Sequence, residues 1–225
     1  MNNSLFFALI SAAVTLPLGL AGESPAAPAE VVPRAVFKLD FQASEVGPLP
    51  DDLVLTDPES KFKIGAEGDN KILEMEPSPL VDGGVLLGAS HKGGVTVTAL
   101  IKATSKRRSH PRFGVGLHGV SGYRFLVVPA RKELQLVKDE EVVAQVTFEY
   151  KSGAWNQVEF SVLPTPEGGS RLEGRAWEAG KPKPEAPQIS LKVPTPPGTG
   201  KASLWAAPYS ELPVWFDDVV VTPQP

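Results

Sequence analysis

The chain contains no cysteine, so any side-chain chemistry falls to carboxylates, three histidines, serines, cations and aromatic rings. Thiolate zinc sites, iron-sulfur clusters, disulfides and cysteine nucleophiles are excluded at the outset. Paired carboxylates come first, because hydrolysis of a glycosidic bond needs two of them facing one cleft, one held protonated. Glu74 with Glu76, or Glu159 with Glu173, could supply such a pair from a strand face. A chain with 26 acidic residues produces these pairs by chance, and solvated faces are their plainer reading. His91, His110 and His118 lie in separate contexts without a His-Glu-x-x-His motif, which argues against catalytic zinc. Asp40, Asp217 and Asp218 offer the hard oxygen ligands of a structural calcium ion, if the first and last strands are neighbours. The alternative leaves one aspartate in solvent and another bonded to a backbone amide. No Gly-x-Ser-x-Gly turn marks a serine nucleophile, and Gly119-Val120-Ser121-Gly122 fits a hairpin turn instead. The run Gly114, Gly116, Gly119 and Gly122 precedes no helix and is no phosphate loop.

Two clusters are suited to binding. Lys102, Lys106, Arg107, Arg108 and Arg112 place five positive charges within eleven residues, with His110 among them. Arginine forks match carboxylate and sulfate groups, so Arg107 and Arg108 are candidate contacts to an acidic glycan; a solvated loop is the plainer reading. The large aromatics with polar handles are Trp155, Trp177, Trp205, Trp215, Tyr123 and Tyr209. Their flat faces complement sugar rings, and core packing competes for the same residues. Trp155 opens an apolar strand and is expected in the core. Trp177, ahead of a Gly/Pro loop, and Trp205 with Tyr209, in a stretch broken by Pro208 and Pro213, are expected to line a rim.

The elements that must position these groups are strands. Proline and glycine fill 23 and 21 of the 225 positions, which leaves little room for long helices. Period-two alternation recurs along the chain. Phe37, Leu39 and Phe41 share one face, as do Val95, Val97, Ala99 and Ile101. Phe113, Val115 and Leu117, then Tyr123, Phe125 and Val127 across a Gly-Val-Ser-Gly turn, predict a hairpin over 112–129. Further faces are Val158/Phe160/Val162, Leu172/Ala176, Ala202/Leu204/Ala206 and Val214/Phe216/Asp218/Val220. Ala130 to Ser152 has helix-forming composition, but a 3.6-residue stripe would run into Lys138-Asp139-Glu140-Glu141. Alternation on both sides of that charged turn, Leu134 and Leu136 before it and Val142, Ala144, Val146 and Phe148 after it, predicts a second hairpin. About twelve short strands at this spacing, with no repeat motif, favour an all-β fold of two antiparallel sheets in a jelly-roll sandwich. The stretch from Pro182 to Gly200 reads as a strand-poor loop.

Met1 to Ala21 carries no charge, is mostly apolar from Leu5 to Leu16, and ends in Gly19-Leu20-Ala21 before a possible cut: the grammar of a signal peptide. An uncleaved anchor is the alternative, though the segment is short for a span and contains Pro17 and Gly19. Residues 22–34 read as an Ala/Pro-rich flexible leader and 35–225 as one domain. A periplasmic or secreted chain without a membrane span after cleavage is expected. A formal charge of -4 argues against nucleic acid as a partner.

Several segments carry a resemblance. Phe113-Gly-Val-Gly-Leu-His-Gly-Val-Ser-Gly-Tyr123-Arg-Phe, Trp155 opening a strand after Ser152-Gly153, Gly174 to Pro184, and Pro213 to Val221 resemble the concanavalin A-like lectin/glucanase superfamily. They are similar in particular to secreted bacterial laminin-G-like and 3-keto-disaccharide-hydrolase-like jelly rolls, over most of Ala35 to Pro223. The resemblance implies 12 to 14 strands, with a concave sheet that often carries glycans. The Glu-x-Asp-x-x-Glu cluster of the glucanase branch is missing. The expectation is therefore an exported, non-catalytic module binding a carbohydrate or cell-envelope component, with Trp177, Trp205, Tyr209, Arg107 and Arg108 as contacts. A glycoside hydrolase of the 3-keto-disaccharide-hydrolase-like type, or a structural domain without a small ligand, are the alternatives. No cofactor is expected beyond the possible calcium at Asp40, Asp217 and Asp218.

Overall fold

The computed structural model describes residues 36–77 and 80–224; the expected signal peptide and leader lie outside them. Among the described residues the elements are sixteen strands and no helix. In chain order they are β1 (Phe37–Leu39), β2 (Gly47–Pro48), β3 (Val54–Leu55), β4 (Phe62–Glu67), β5 (Asn70–Met75), β6 (Gly83–His91), β7 (Val95–Lys102) and β8 (Arg112–Leu117). There follow β9 (Tyr123–Val128), β10 (Glu133–Lys138), β11 (Glu141–Thr147), β12 (Trp155–Pro164), β13 (Ser170–Glu178), β14 (Ile189–Val193), β15 (Gly200–Ala207) and β16 (Val214–Pro223). No helix among the described residues is long and apolar enough to cross a membrane.

All pairings are antiparallel and fall into two sheets. The nine-stranded sheet runs β14-β13-β12-β7-β16-β5-β4-β2, with β1 also paired to β16. The seven-stranded sheet runs β11-β10-β9-β8-β15-β6-β3. Strand alternation explains how the core closes. Along β7 every odd position from Val95 to Ile101 is buried and every even one half-buried, as period two requires. Phe113, Phe125, Leu134 and Leu204 from one sheet meet Ile101, Phe160, Phe216 and Leu172 from the other in one apolar cluster. Phe125 and Phe160 stack across the interface with centroids 6.1 Å apart and planes at 25°. Gly174 makes room for that stack, since a Cβ there would collide with the Phe125 ring.

Both predicted hairpins form, β8 with β9 and β10 with β11. Three departures have local causes. A bulge at Leu136/Val137 shifts the register so that Val142 lies opposite Val137, and Val142 is 43% exposed instead of facing the core with Ala144 and Val146. A second irregularity between Asp217 and Val220 turns Val219 and Val221 inward, so Asp218 and Val220 leave the face they were assigned. The proline-rich stretch holds a five-residue strand, β14, paired with β13 at the sheet edge. This strand and the two- and three-residue strands near the start raise the count above the expected 12 to 14.

His118 gives the fold a pH dependence. It follows β8 with φ of 66°, is 5% exposed, and donates from Nε2 to the Gly93 carbonyl at 3.0 Å, while its buried Nδ1 has no hydrogen-bond partner. Burial pulls its pKa below the ordinary 6.5; the Gly93 carbonyl opposes this and nearby His91 adds to it. The unfolded chain therefore takes a proton that the folded state resists. The stabilisation is whole above about pH 6.5 and is lost as pH falls through the lower folded value. His118→Asn, which tolerates the left-handed backbone, is expected to flatten the drop in melting temperature between about pH 7.5 and about pH 5.5. Equal drops in variant and parent would assign the effect elsewhere.

Candidate binding face

Trp155, Lys102, Trp215, Glu74 and Lys63 are successive register partners across β12, β7, β16, β5 and β4. Their strand neighbours point into the core, so all five point outward. At the strand spacing of a sheet the two tryptophans stand about 10 Å apart with Lys102 between them. The Lys102 ammonium lies 4.8 Å from the Trp215 ring centroid and 5.9 Å from that of Trp155. Trp155 Nε1 donates to Glu67 at 3.1 Å and Trp215 Nε1 to Glu74 at 3.0 Å. Lys102 also pairs with Glu67, and that bond holds the Glu67 carboxyl below its usual range. With both indole N–H groups committed, each ring plane is fixed, and what remains for a ligand is ring face and edge. Beside the row, Lys102, Thr104, Leu212, Pro213 and Trp215 line a 290 Å³ depression.

Trp177 is on the same outward face, opposite Gln157 and therefore diagonal to Trp155. Lys183 lies 6.0 Å from its ring centroid and pairs with Glu159 at 2.6 Å. Three of the four tryptophans thus share one face. Trp205 does not. It is 5% exposed on the outer side of the seven-stranded sheet, in a small cluster with Leu126, Val128 and Val137. Its Nε1 donates to Ser203 at 2.8 Å and the Arg124 guanidinium caps its ring at 4.4 Å. The rim and core expectations for Trp205 and Trp155 are therefore exchanged: Trp155 faces outward, half-buried, and Trp205 is sealed. Tyr209 stands 45% exposed between β15 and β16. Arg107 and Arg108 stand exposed between β7 and β8, and a Lys106–Glu211 pair at 3.2 Å joins the two loops.

The carboxylate pairs are all tied to cations. Lys63 bridges Glu74 at 3.4 Å and Glu76 at 2.9 Å, and Arg175 bridges Glu159 at 3.1 Å and Glu173 at 3.5 Å. Neither pair has the unpaired acid that glycoside hydrolysis asks for. The aspartates do not fit a calcium site either. Pairing of β1 with β16 does bring Asp40 and Asp218 to one surface depression. Asp217, however, accepts from Asn70 Nδ2 at 2.7 Å and from the Asp218 amide at 2.8 Å. Among the described residues no group of three or more histidine or acidic side chains is placed to hold a metal ion.

The two antiparallel sheets packed face to face give the chain a jelly-roll sandwich fold. Among solved structures it is similar to the carbohydrate-binding module CBM66 from Bacillus subtilis, with TM-score 0.56 and 11% identity over 76% of this chain and 95% of that one. It is similar also to lectin II from Ulex europaeus, with TM-score 0.53 and 9% identity over 85% and 99% of the two chains. An alginate lyase solved with an alginate tetrasaccharide gives TM-score 0.56 and 7% identity over 86% and 98%. No family model and no curated protein matches the chain.

Proposed function

We propose that this protein is an exported, non-catalytic jelly-roll module that binds a carbohydrate or another cell-envelope component on the outward face of its nine-stranded sheet. The observation that carries the reading is the fixed row Trp155–Lys102–Trp215, with Trp177 beside it. Planar rings with their N–H groups already bonded suit the apolar faces of sugar rings, and Lys102 supplies a donor between them. That carbohydrate-binding modules and lectins share the fold supports the class of ligand. The signal-like segment Met1 to Ala21 supports export, and the cation-tied carboxylates support a binding role over a hydrolytic one.

The test is a glycan array probed with the chain from Gly22 onward, neutral and acidic polymers included. Trp215→Ala and Trp155→Ala are each expected to weaken binding about 30-fold, as loss of a central aromatic anchor does. Trp205→Phe, on the other sheet, is expected to leave it unchanged. Binding to no polymer, or equal loss from the Trp205 variant, would sink the assignment of this face.

A further inference from the structure

Between β7 and β8 the chain makes a miniature hairpin. Lys106 and Ser109 pair as an isolated antiparallel bridge, each amide donating to the other's carbonyl at 2.9 and 3.0 Å. Arg107 and Arg108 form its tip, exposed, and neither is in an ion pair among the described residues. Arg107 has φ of 58°, the left-handed region where glycine or asparagine is accommodated more easily. A two-residue hairpin loop asks for a positive φ at its first position, and Arg107 meets it there.

Ser105 and His110, the residues that flank the bridge, line a 340 Å³ pocket together with Pro129, Lys132, Glu149, Tyr150 and Ser152. Its frame is fixed by hydrogen bonds. The Tyr150 hydroxyl donates to the Ala103 carbonyl and accepts from the Ala103 amide at 3.3 Å. Ser152 Oγ accepts from the Ser105 amide at 2.8 Å, and Ser105 Oγ lies 2.9 Å from His110 Nδ1. Two acids balance the cations, and both are at exposed positions: Glu149 lies 3.8 Å from Lys132 and Glu211 3.2 Å from Lys106. Neither acid is paired with Arg107 or Arg108. Ser105 is three residues beyond Lys102 of the tryptophan row, about 10 Å along the chain even at full extension.

We infer that the pocket and the arginine tip form an anion subsite for an acidic sugar unit, one bearing a sulfate ester or a uronate carboxylate. This rests on the carbohydrate-binding reading and names the ligand class it selects. Arginine forks take either anion in a bidentate manner, Lys132 adds a point charge, and the Ser105 and Ser152 hydroxyls add short polar contacts.

The experiment measures affinity of the purified protein for dextran sulfate, polygalacturonate and neutral dextran. At least one anionic polymer is expected to bind about tenfold or more tightly than dextran, with the preference fading at about 0.5 M salt. The Arg107→Ala/Arg108→Ala double variant and Lys132→Gln are each expected to lose that preference while dextran affinity and melting temperature stay as in the parent. Arg107→Gly, which suits the backbone, is expected to lose preference and melt no lower. A control with the same charge change elsewhere, Lys181→Ala/Lys192→Ala, keeps the preference. Equal affinity for all three polymers, an unchanged arginine double variant, or an equal loss in the control overturns the subsite. If Trp215→Ala alone weakens every polymer while the arginine variants change nothing, the tryptophan face stands and the subsite falls. If nothing binds, the carbohydrate reading itself falls. Which anionic polymer wins tells sulfate from carboxylate.

Discussion

Phe160→Ala is expected to lower the free energy of unfolding by about 3–5 kcal/mol. Phe160 is fully buried on β12, and its ring stacks on Phe125 of β9, so the contact is between sheets. Removing it forfeits transfer energy and leaves a void walled by two sheets whose hydrogen-bonded strands limit collapse. Without a cysteine there is no disulfide to hold the layers while the core adjusts. For a domain whose whole stability is on the order of 5–15 kcal/mol, this loss consumes a large share. The same contact is sensitive in the opposite direction. Gly174→Val would drive a side chain into the Phe125 ring and is expected to cost about 1–3 kcal/mol or more by overpacking. Urea unfolding at neutral pH measures both. A loss below about 1 kcal/mol for Phe160→Ala would show that the sheets repack, and that this stack does not key them together.

The core was legible because alternation is a local signal. Val95 to Ile101, Phe113 to Leu117 and Val158 to Val162 each announce their inward face by period two, and each is buried as read. Legibility fails where the period slips. At Asp217 to Val220 and at Leu136/Val137 the irregularity moves a residue to the other face, and no turn residue in the sequence marks it. The proposed binding face is partly legible in the sequence. Val158, Phe160 and Val162 point inward, so parity alone sends Trp155 outward, against the core position its apolar ring suggests. Trp215 likewise precedes inward Phe216. The sealing of Trp205 is not legible, because a glycine-lined floor on the outer side of a sheet, formed by Gly84 and Gly116, is a tertiary feature. The joining of the Arg107 loop to the Tyr209 loop depends on the strand order β8-β15 and the Lys106–Glu211 pair, which no local window contains.

The second large effect is electrostatic. Arg175→Met is expected to destabilise the protein by about 3 kcal/mol or more, because it strands two carboxylates that are nearly out of water. The side chains of Arg175, Glu159 and Glu173 are 13%, 10% and 13% exposed, with the guanidinium 3.1 Å from one carboxylate and 3.5 Å from the other. Lys183 and Arg171 remain as partners, 2.6 Å from Glu159 and 2.7 Å from Glu173, but both are about half exposed and screened by solvent. They moderate the loss without cancelling it. If the penalty comes from uncompensated charge and not from lost attraction, Arg175→Met combined with Glu159→Gln and Glu173→Gln recovers most of it. Chemical unfolding of the single and triple variants decides this: a single variant as stable as the parent, or a triple variant no better than the single, refutes it. The binding readout separates the network from the tryptophan row. Glu159 holds Lys183 near Trp177, whereas Trp155 and Trp215 are fixed by Glu67, Glu74 and Lys102. At temperatures where the triple variant stays folded, its affinity should fall only for ligands long enough to reach Trp177, because Glu159→Gln releases Lys183 while the row itself keeps every bond that orients it.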